Sequence, residues 1–267
     1  MTIRADKASA WPDASGRVLA RALSALRERL LSTMDRKNHW AYPALTRPGL
    51  AREGLLEHFR HEYIVYVRDF PALLARALGQ TPPLPDVRRA LAENLYEEQT
   101  GGLSRTAAHP ELFLRMMTGL GFAPADFAGG DERLHPAARR YRDFLRDRAS
   151  AEPWQAAVAL LTIFVEGSVH ERAELAGTFV RSRGDAAVLD HPLVKYYGCP
   201  PAAMELARAH AQVEGGHREG AWRTVLGHTP EGGDVARAVC ETCEEALRSW
   251  LAYRDGVAER MGLERAA

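Results

Sequence analysis

Cysteine is scarce: the 267 residues hold three, Cys199, Cys240 and Cys243. That is too few for a disulfide framework in a chain of this length, so a reducing compartment is expected. Net charge is lacking as well, because 35 basic and 35 acidic residues balance to a formal +0. Without a basic field nothing attracts a phosphate backbone, which argues against nucleic acid as a partner. No run approaches the roughly 20 apolar residues that span a bilayer. The opening stretch MTIRADKASAWPDASGR has no apolar signal-peptide core. No membrane partner and a cytoplasmic location are therefore expected. Strand alternation bounded by hairpin turns, a repeat of fixed period and low-complexity tracts are missing too.

What is present is helical periodicity. An apolar fraction of 46% suffices for a sizeable core, and no compositional break divides the chain, which reads as a single domain over 1–267. Apolar residues recur at helical spacing over 13–34 (Val18, Leu19, Leu23, Leu26, Leu30, Leu31) and over 50–78. Trp40, Pro43 and Pro48 mark an irregular connection between them that lays an aromatic against the bundle. Pro85 opens a helix that Gly101-Gly102 stop, His109-Pro110 opens one ending near Gly121, and His135-Pro136 begins another. The stretch from Pro153 to about Arg181 is the most apolar and reads as one central helix. Pro200-Pro201 start a helix to about Leu226, and the last spans Asp234 to Met261. The class is all-α, an irregular bundle of roughly eight helices.

Three segments carry residues able to do chemistry. In H-A-Q-V-E-G-G-H, His210, Glu214 and His217 stand at i, i+4 and i+7, on one face of one helix. Imidazole and carboxylate together suit a first-row ion such as iron or manganese, whereas structural zinc more often takes thiolates. A solvated polar face is the alternative. Gly215-Gly216 lie mid-helix, where each costs on the order of 1 kcal/mol relative to Ala, which suggests close packing or a helix able to loosen. Glu166 sits within the apolar stretch LLTIFVEGSVHERAE, and a buried carboxylate needs a cation, either a metal or an arginine. His170, one turn further, reads as a surface or supporting residue. In N-L-Y-E-E-Q-T-G-G-L-S-R-T-A-A-H-P, one helix ends with Glu97 and Glu98 and the next begins with His109. Two helix ends meeting at a loop can bring a carboxylate and an imidazole to one point; solvated end residues and a capping histidine are the alternative.

Three carboxylates and three histidines match the inventory of a dinuclear carboxylate iron site, but the paired Glu-x-x-His motifs of ferritin-like bundles are missing. Over most of its length the chain instead resembles the haem-oxygenase-like diiron oxidases, which share their fold with thiaminase II and pyrroloquinoline quinone synthase. Asn94-Leu95-Tyr96-Glu97-Glu98 followed by His109 is similar to that family's N-L-x-x-E and His, with one extra residue, making Glu98 the better ligand and Glu97 the reserve. Phe164-Val165-Glu166 is similar to its lone Glu. Tyr196-Tyr197-Gly198 and then His210, Glu214 and His217 resemble its His-x-x-x-Asp-x-x-His, with Glu in place of Asp.

The resemblance implies two ferrous ions per chain, held by Glu98, His109, Glu166, His210, Glu214 and His217, that activate dioxygen to oxidise a small metabolite. Amines, amino acids and fatty acids are substrates in the family, through N-oxygenation, desaturation or carbon-carbon cleavage. It also implies a mobile third core helix, a use for an external electron donor, and dimer formation as a family-level expectation. Tyr63, Tyr66, Arg68 and Tyr96 are candidate pocket residues, with ordinary packing as their alternative. Two other readings compete: a cofactor-free oxidase resembling pyrroloquinoline quinone synthase, and a non-catalytic helical interaction protein. Cys240 and Cys243 form C-x-x-C without a second pair, so a zinc site is not expected there.

Overall fold

The computed structural model describes residues 25–265 except 183 and 231, and the side chains of 213–217 also lie outside the description. Nine helices of seven residues or more occur among the described residues, against the eight expected, and no strand occurs. They are α1 (residues 25–35), α2 (Arg52–Glu62), α3 (Phe70–Gln80), α4 (Pro85–Thr100), α5 (His109–Gly119), α6 (Pro136–Arg148), α7 (Trp154–Val158, continued to Val165), α8 (Glu205–His228) and α9 (Gly233–Arg260). The first half of the expected 13–34 helix lies outside the described residues. No described helix is long and apolar enough to cross a membrane.

Prolines set several starts. Pro85, Pro110 and Pro136 occupy the first helical turn, where their missing N–H goes unused. The expected 50–78 helix is broken. After α2 the backbone widens into a π-turn over Tyr63–Val67, and α3 restarts with Pro71 at its second position. Proline cannot continue a helix through its own N–H, so the break falls just before it. Trp40 docks as the connection predicts, donating from Nε1 to Asp255 Oδ1 of α9 at 2.8 Å.

The central element departs most from expectation. It is helical only from Trp154 to Val165, and its last seven residues, Ala159–Val165, form π-turns. A side chain at Gly167 would collide with the Ile163 carbonyl, and the chain turns away there before a short helix over Glu171–Leu175. Leu160, Leu161, Ile163 and Phe164 are fully buried, so the element is central although shorter than expected. The Pro200-Pro201 start is likewise corrected: Pro201–Ala203 make a single 3-10 turn, and α8 begins at Glu205.

α9 packs along α6 and crosses α2 and α7, while α8 packs against α4, α5 and α7. α8 therefore lies against each of the other regions that bear candidate ligands. Cys240 and Cys243 face the core of α9, where burial pushes both thiols up from their ordinary pKa and keeps them protonated.

Candidate metal centre

The end of α4 is built to meet the start of α5. Gly101 closes α4 in the left-handed region at φ 63° and donates to the Glu97 carbonyl at 2.7 Å. Side chains at Gly101 and Gly102 would collide with Thr106, Ala107 and the Tyr96 ring, so both glycines are needed for the tight return. Within that loop, the backbone N–H groups of Leu103 and Ser104 donate to Glu97 Oε2 at 2.7 and 3.0 Å. His109, the first residue of α5, is then delivered to both carboxylates of α4.

Glu97 is fully buried and His109 is 3% exposed. His109 Nε2 lies 3.1 Å from Glu97 Oε1, and its Nδ1 lies 2.8 Å from Glu98 Oε1. Only the first contact has hydrogen-bond alignment; Nδ1 is buried without a hydrogen-bond partner despite its closeness to Glu98. Burial opposes the charged imidazole, but Glu98 and Glu97 outweigh it and raise the His109 pKa. Burial also opposes ionised Glu97, while the donors from Ser104, Leu103 and His109 overcome it and lower that pKa. Glu97, the reserve ligand of the sequence reading, is thus the group that orients the imidazole.

His210 of α8 completes the cluster: its ring centroid is 4.9 Å from that of His109, edge to face. One ligand atom each from Glu98, His109 and His210 lie within 4.8 Å of one another. The donors fit a first-row cation. Two ligand atoms about 2.1 Å from one metal and at right angles to it stand about 3 Å apart, close to the 2.8 Å between His109 Nδ1 and Glu98 Oε1. A metal-bound imidazole commonly gives its other N–H to a carboxylate, and Glu97 stands where such a carboxylate would.

Glu166 stands outside that trio. It follows the last π-turn of α7 and accepts from Asn94 Nδ2 at 2.8 Å, one helical turn before Glu98 on α4. One side chain, Lys37, fixes the backbone around it. The Lys37 amine donates to the carbonyls of Phe164, Val165 (3.1 Å) and Gly167 (2.7 Å), and it lies 4.9 Å from the Phe164 ring centroid. The other two candidate ligands, Glu214 and His217, have side chains outside the described residues; α8 itself runs unbroken through them and through Gly215 and Gly216. The base of α8 is anchored beyond them, where Trp222 Nε1 donates to buried Glu171 at 2.7 Å and Arg218 bridges Glu171 and Glu174.

The other candidates fall elsewhere. Tyr63 stacks on Phe113, the Tyr66 hydroxyl joins Glu62 and Arg254, and Arg68 pairs with Asp69. Tyr96 is half exposed. His170 is exposed and stacks on Phe179. Sequence reasoning missed Asn94 and Lys37 as supports of Glu166. Asn94 had a signal, being the i−4 neighbour of Glu98; Lys37, on the far side of the chain, had none.

A helical bundle enclosing a buried imidazole-carboxylate cluster fits a metalloprotein. Residues 57–251 match the haem oxygenase 2 family of iron-containing redox enzymes, and the chain belongs to that family. Its fold is similar to that of a TenA homolog from Pseudomonas syringae pv. tomato str. DC3000, with a TM-score of 0.60 at 14% identity, covering 92% of this chain and 93% of that one. No curated protein matches the sequence.

Proposed function

We propose that this protein is a dioxygen-dependent non-haem diiron oxidase or oxygenase acting on a small metabolite. The observation that carries the reading is the trio of half-buried Glu98, buried His109 and half-buried His210, one ligand atom of each lying within 4.8 Å of the others, in a family of iron-containing redox enzymes. Glu98, His109 and His210 would hold one part of the centre, and Glu166, Glu214 and His217 the rest. Bound iron supplies the redox chemistry with dioxygen.

The chain's own residues supply the setting. Glu97 Oε1 faces His109 Nε2 and would accept its N–H, so that a cation would take the place of a proton at Nδ1. Asn94 turns the Glu166 carboxylate by donating to Oε1. Lys37 ties down the backbone on both sides of Glu166. Burial of Asn94, Glu97 and His109 strengthens the interactions these residues make.

The test is anaerobic titration of metal-free protein with ferrous iron, followed by Mössbauer spectroscopy and then admission of dioxygen. Two irons per chain, lost in His210→Ala and Glu166→Ala while the helical circular dichroism persists, are expected. Unchanged iron content in both variants would sink the assignment.

A further inference from the structure

Glu171 opens the short helix that follows the turn after Glu166, and it is 1% exposed. Gly167 lets its carboxylate close back on that turn: a Cβ there would stand 3.1 Å from Glu171 Oε2. The same carboxylate meets α8. Its Oε1 accepts from Trp222 Nε1 at 2.7 Å, and its Oε2 accepts from Arg218 Nε at 3.2 Å. Arg218 Nη1 also pairs with Glu174 Oε2, whose other oxygen accepts from Arg181 Nε at 2.8 Å. Glu171 is thus a strut, with one end against the residue next to Glu166 and the other on α8.

The strut meets α8 where the helix has least support of its own. Gly215, Gly216 and Gly220 fall close together there, and each is a poorer helix former than alanine, so packing must hold that stretch in register. Arg218 directly follows His217 and stands one turn after Glu214, and Trp222 lies one turn further on. An indole N–H and a planar guanidinium donate to a carboxylate in fixed directions, so together they define the rotation of α8 as well as its distance. The two acids, Glu171 and Glu174, face the two guanidinium groups of Arg218 and Arg181, which commits both carboxylates to holding position. His210, two turns before Arg218, is held instead from the side of α5, by the ring of His109.

We infer that Glu171 and Arg218 are positioning residues that hold the middle of α8 in register with the turn after Glu166. They thereby set the spacing between Glu166 and the pair Glu214 and His217. The inference rests on the diiron reading for its effect on metal, while the hold on α8 can be measured without metal. The ion held by Glu98, His109 and His210 does not depend on the strut, so loss of the strut separates the two metal positions.

Two measurements on Arg218→Met, Arg218→Lys and Trp222→Phe test this. In metal-free protein, amide hydrogen exchange over residues 210–217 should quicken by about tenfold or more in Arg218→Met, with α9 unchanged. In cobalt(II) titrations followed by visible absorption, one of two ions should weaken by about tenfold or more while the other stays within about twofold. Trp222→Phe, which keeps a ring in place, should show the same pattern at smaller amplitude, even where Arg218→Met fails to fold. Arg218→Lys should recover part of both effects. Unchanged exchange in Trp222→Phe, or exchange that quickens in α8 and α9 together with both ions weakened alike, overturns the proposal. Uptake of fewer than two cobalt ions by the unsubstituted protein, with quickened exchange still confined to α8, would instead sink the diiron reading and leave the hold on α8 standing.

Discussion

His109 Nε2 points at Glu97 Oε1 across 3.1 Å, and both groups are sealed from solvent. With Nε2 turned to Glu97, the other imidazole nitrogen, Nδ1, lies 2.8 Å from Glu98 Oε1. Glu97→Gln keeps the volume but removes the charge, and it presents an amide where the Leu103 and Ser104 N–H groups now donate. Metal affinity is expected to fall about 10–100-fold, as for other outer supports of a ligating histidine. Cobalt titration followed by visible absorption measures it. Affinity equal to that of the unsubstituted protein would mean that Glu97 does not govern the imidazole.

Lys37 supports the other side of the centre. Replacing it by methionine keeps the apolar stem over the Phe164 ring but strips the donor from the Phe164, Val165 and Gly167 carbonyls. Unsatisfied buried acceptors cost about 1–3 kcal/mol, so Lys37→Met should lower the urea midpoint by about that much. Because Glu166 lies between these carbonyls, iron binding should weaken as well. Lys37→Arg, which can still donate, should recover part of both. An effect on stability without any on metal binding would confine Lys37 to a capping role.

Away from the centre, Arg254 is 5% exposed, reaches Glu62 at 2.7 Å, and lies over the rings of Tyr42, Trp250 and Tyr253. Arg254→Met removes the 2.7 Å partner of the half-buried Glu62 carboxylate, leaving it the Tyr66 hydroxyl and His58, and should destabilise the fold by about 1–3 kcal/mol. Glu62→Gln in the same chain should restore most of that. Chemical denaturation of the two single variants and the double variant tests the coupling; simple additivity would show that the pair does not act as a unit.

The same cluster sets an acid limit. Burial opposes the ionised form of Glu62, but His58 and Arg254 outweigh it and hold the pKa at about 2, below an ordinary 4.5. Burial lowers His58 to about 4 from an ordinary 6.5, against the pull of Glu62. In both cases the unfolded chain takes up the proton first, so stability falls as pH falls. The loss due to His58 runs from pH 6.5 to 4 and that due to Glu62 from 4.5 to 2. Urea midpoints measured from pH 7 to pH 3 should decline across both ranges, and in Glu62→Gln the lower part of the decline should flatten. A midpoint that rose on acidification would contradict the assignment.

Gly256 admits α9 to the start of α6. A Cβ there would collide with the His135 imidazole, whose Nδ1 accepts from the Ala137 N–H and caps α6. Gly256→Ala should therefore cost about 1–3 kcal/mol through overpacking, despite the better helix propensity of alanine. Thermal unfolding checks this, and a stabilised variant would show that the contact yields easily.

Helix positions were legible where proline and glycine punctuate the chain. Pro85, Gly101, Pro110 and Pro136 fall where their backbone chemistry requires. The π-turns at Tyr63–Val67 and Ala159–Val165 were not legible, because a widened turn keeps nearly the same apolar spacing as an α-turn and is chosen by packing. For the same reason the central helix was read too long: apolar and small residues continue beyond Val165, and the close approach of the backbone at Gly167, which only a glycine permits, cannot be read from spacing.

The residues alone determined an all-helical class, a set of imidazoles and carboxylates at helical spacing, and the likeness to an iron-dependent family. Spacing within one helix is fixed by 3.6 residues per turn, so it can be read from the chain. Tertiary structure decided that Glu97 and Glu98 meet opposite nitrogens of His109, that Asn94 donates to Glu166, and that Lys37 reaches the end of a helix more than 120 residues away. Those choices depend on which helix ends meet and which polar atoms are buried together, and no one-dimensional pattern carries that information.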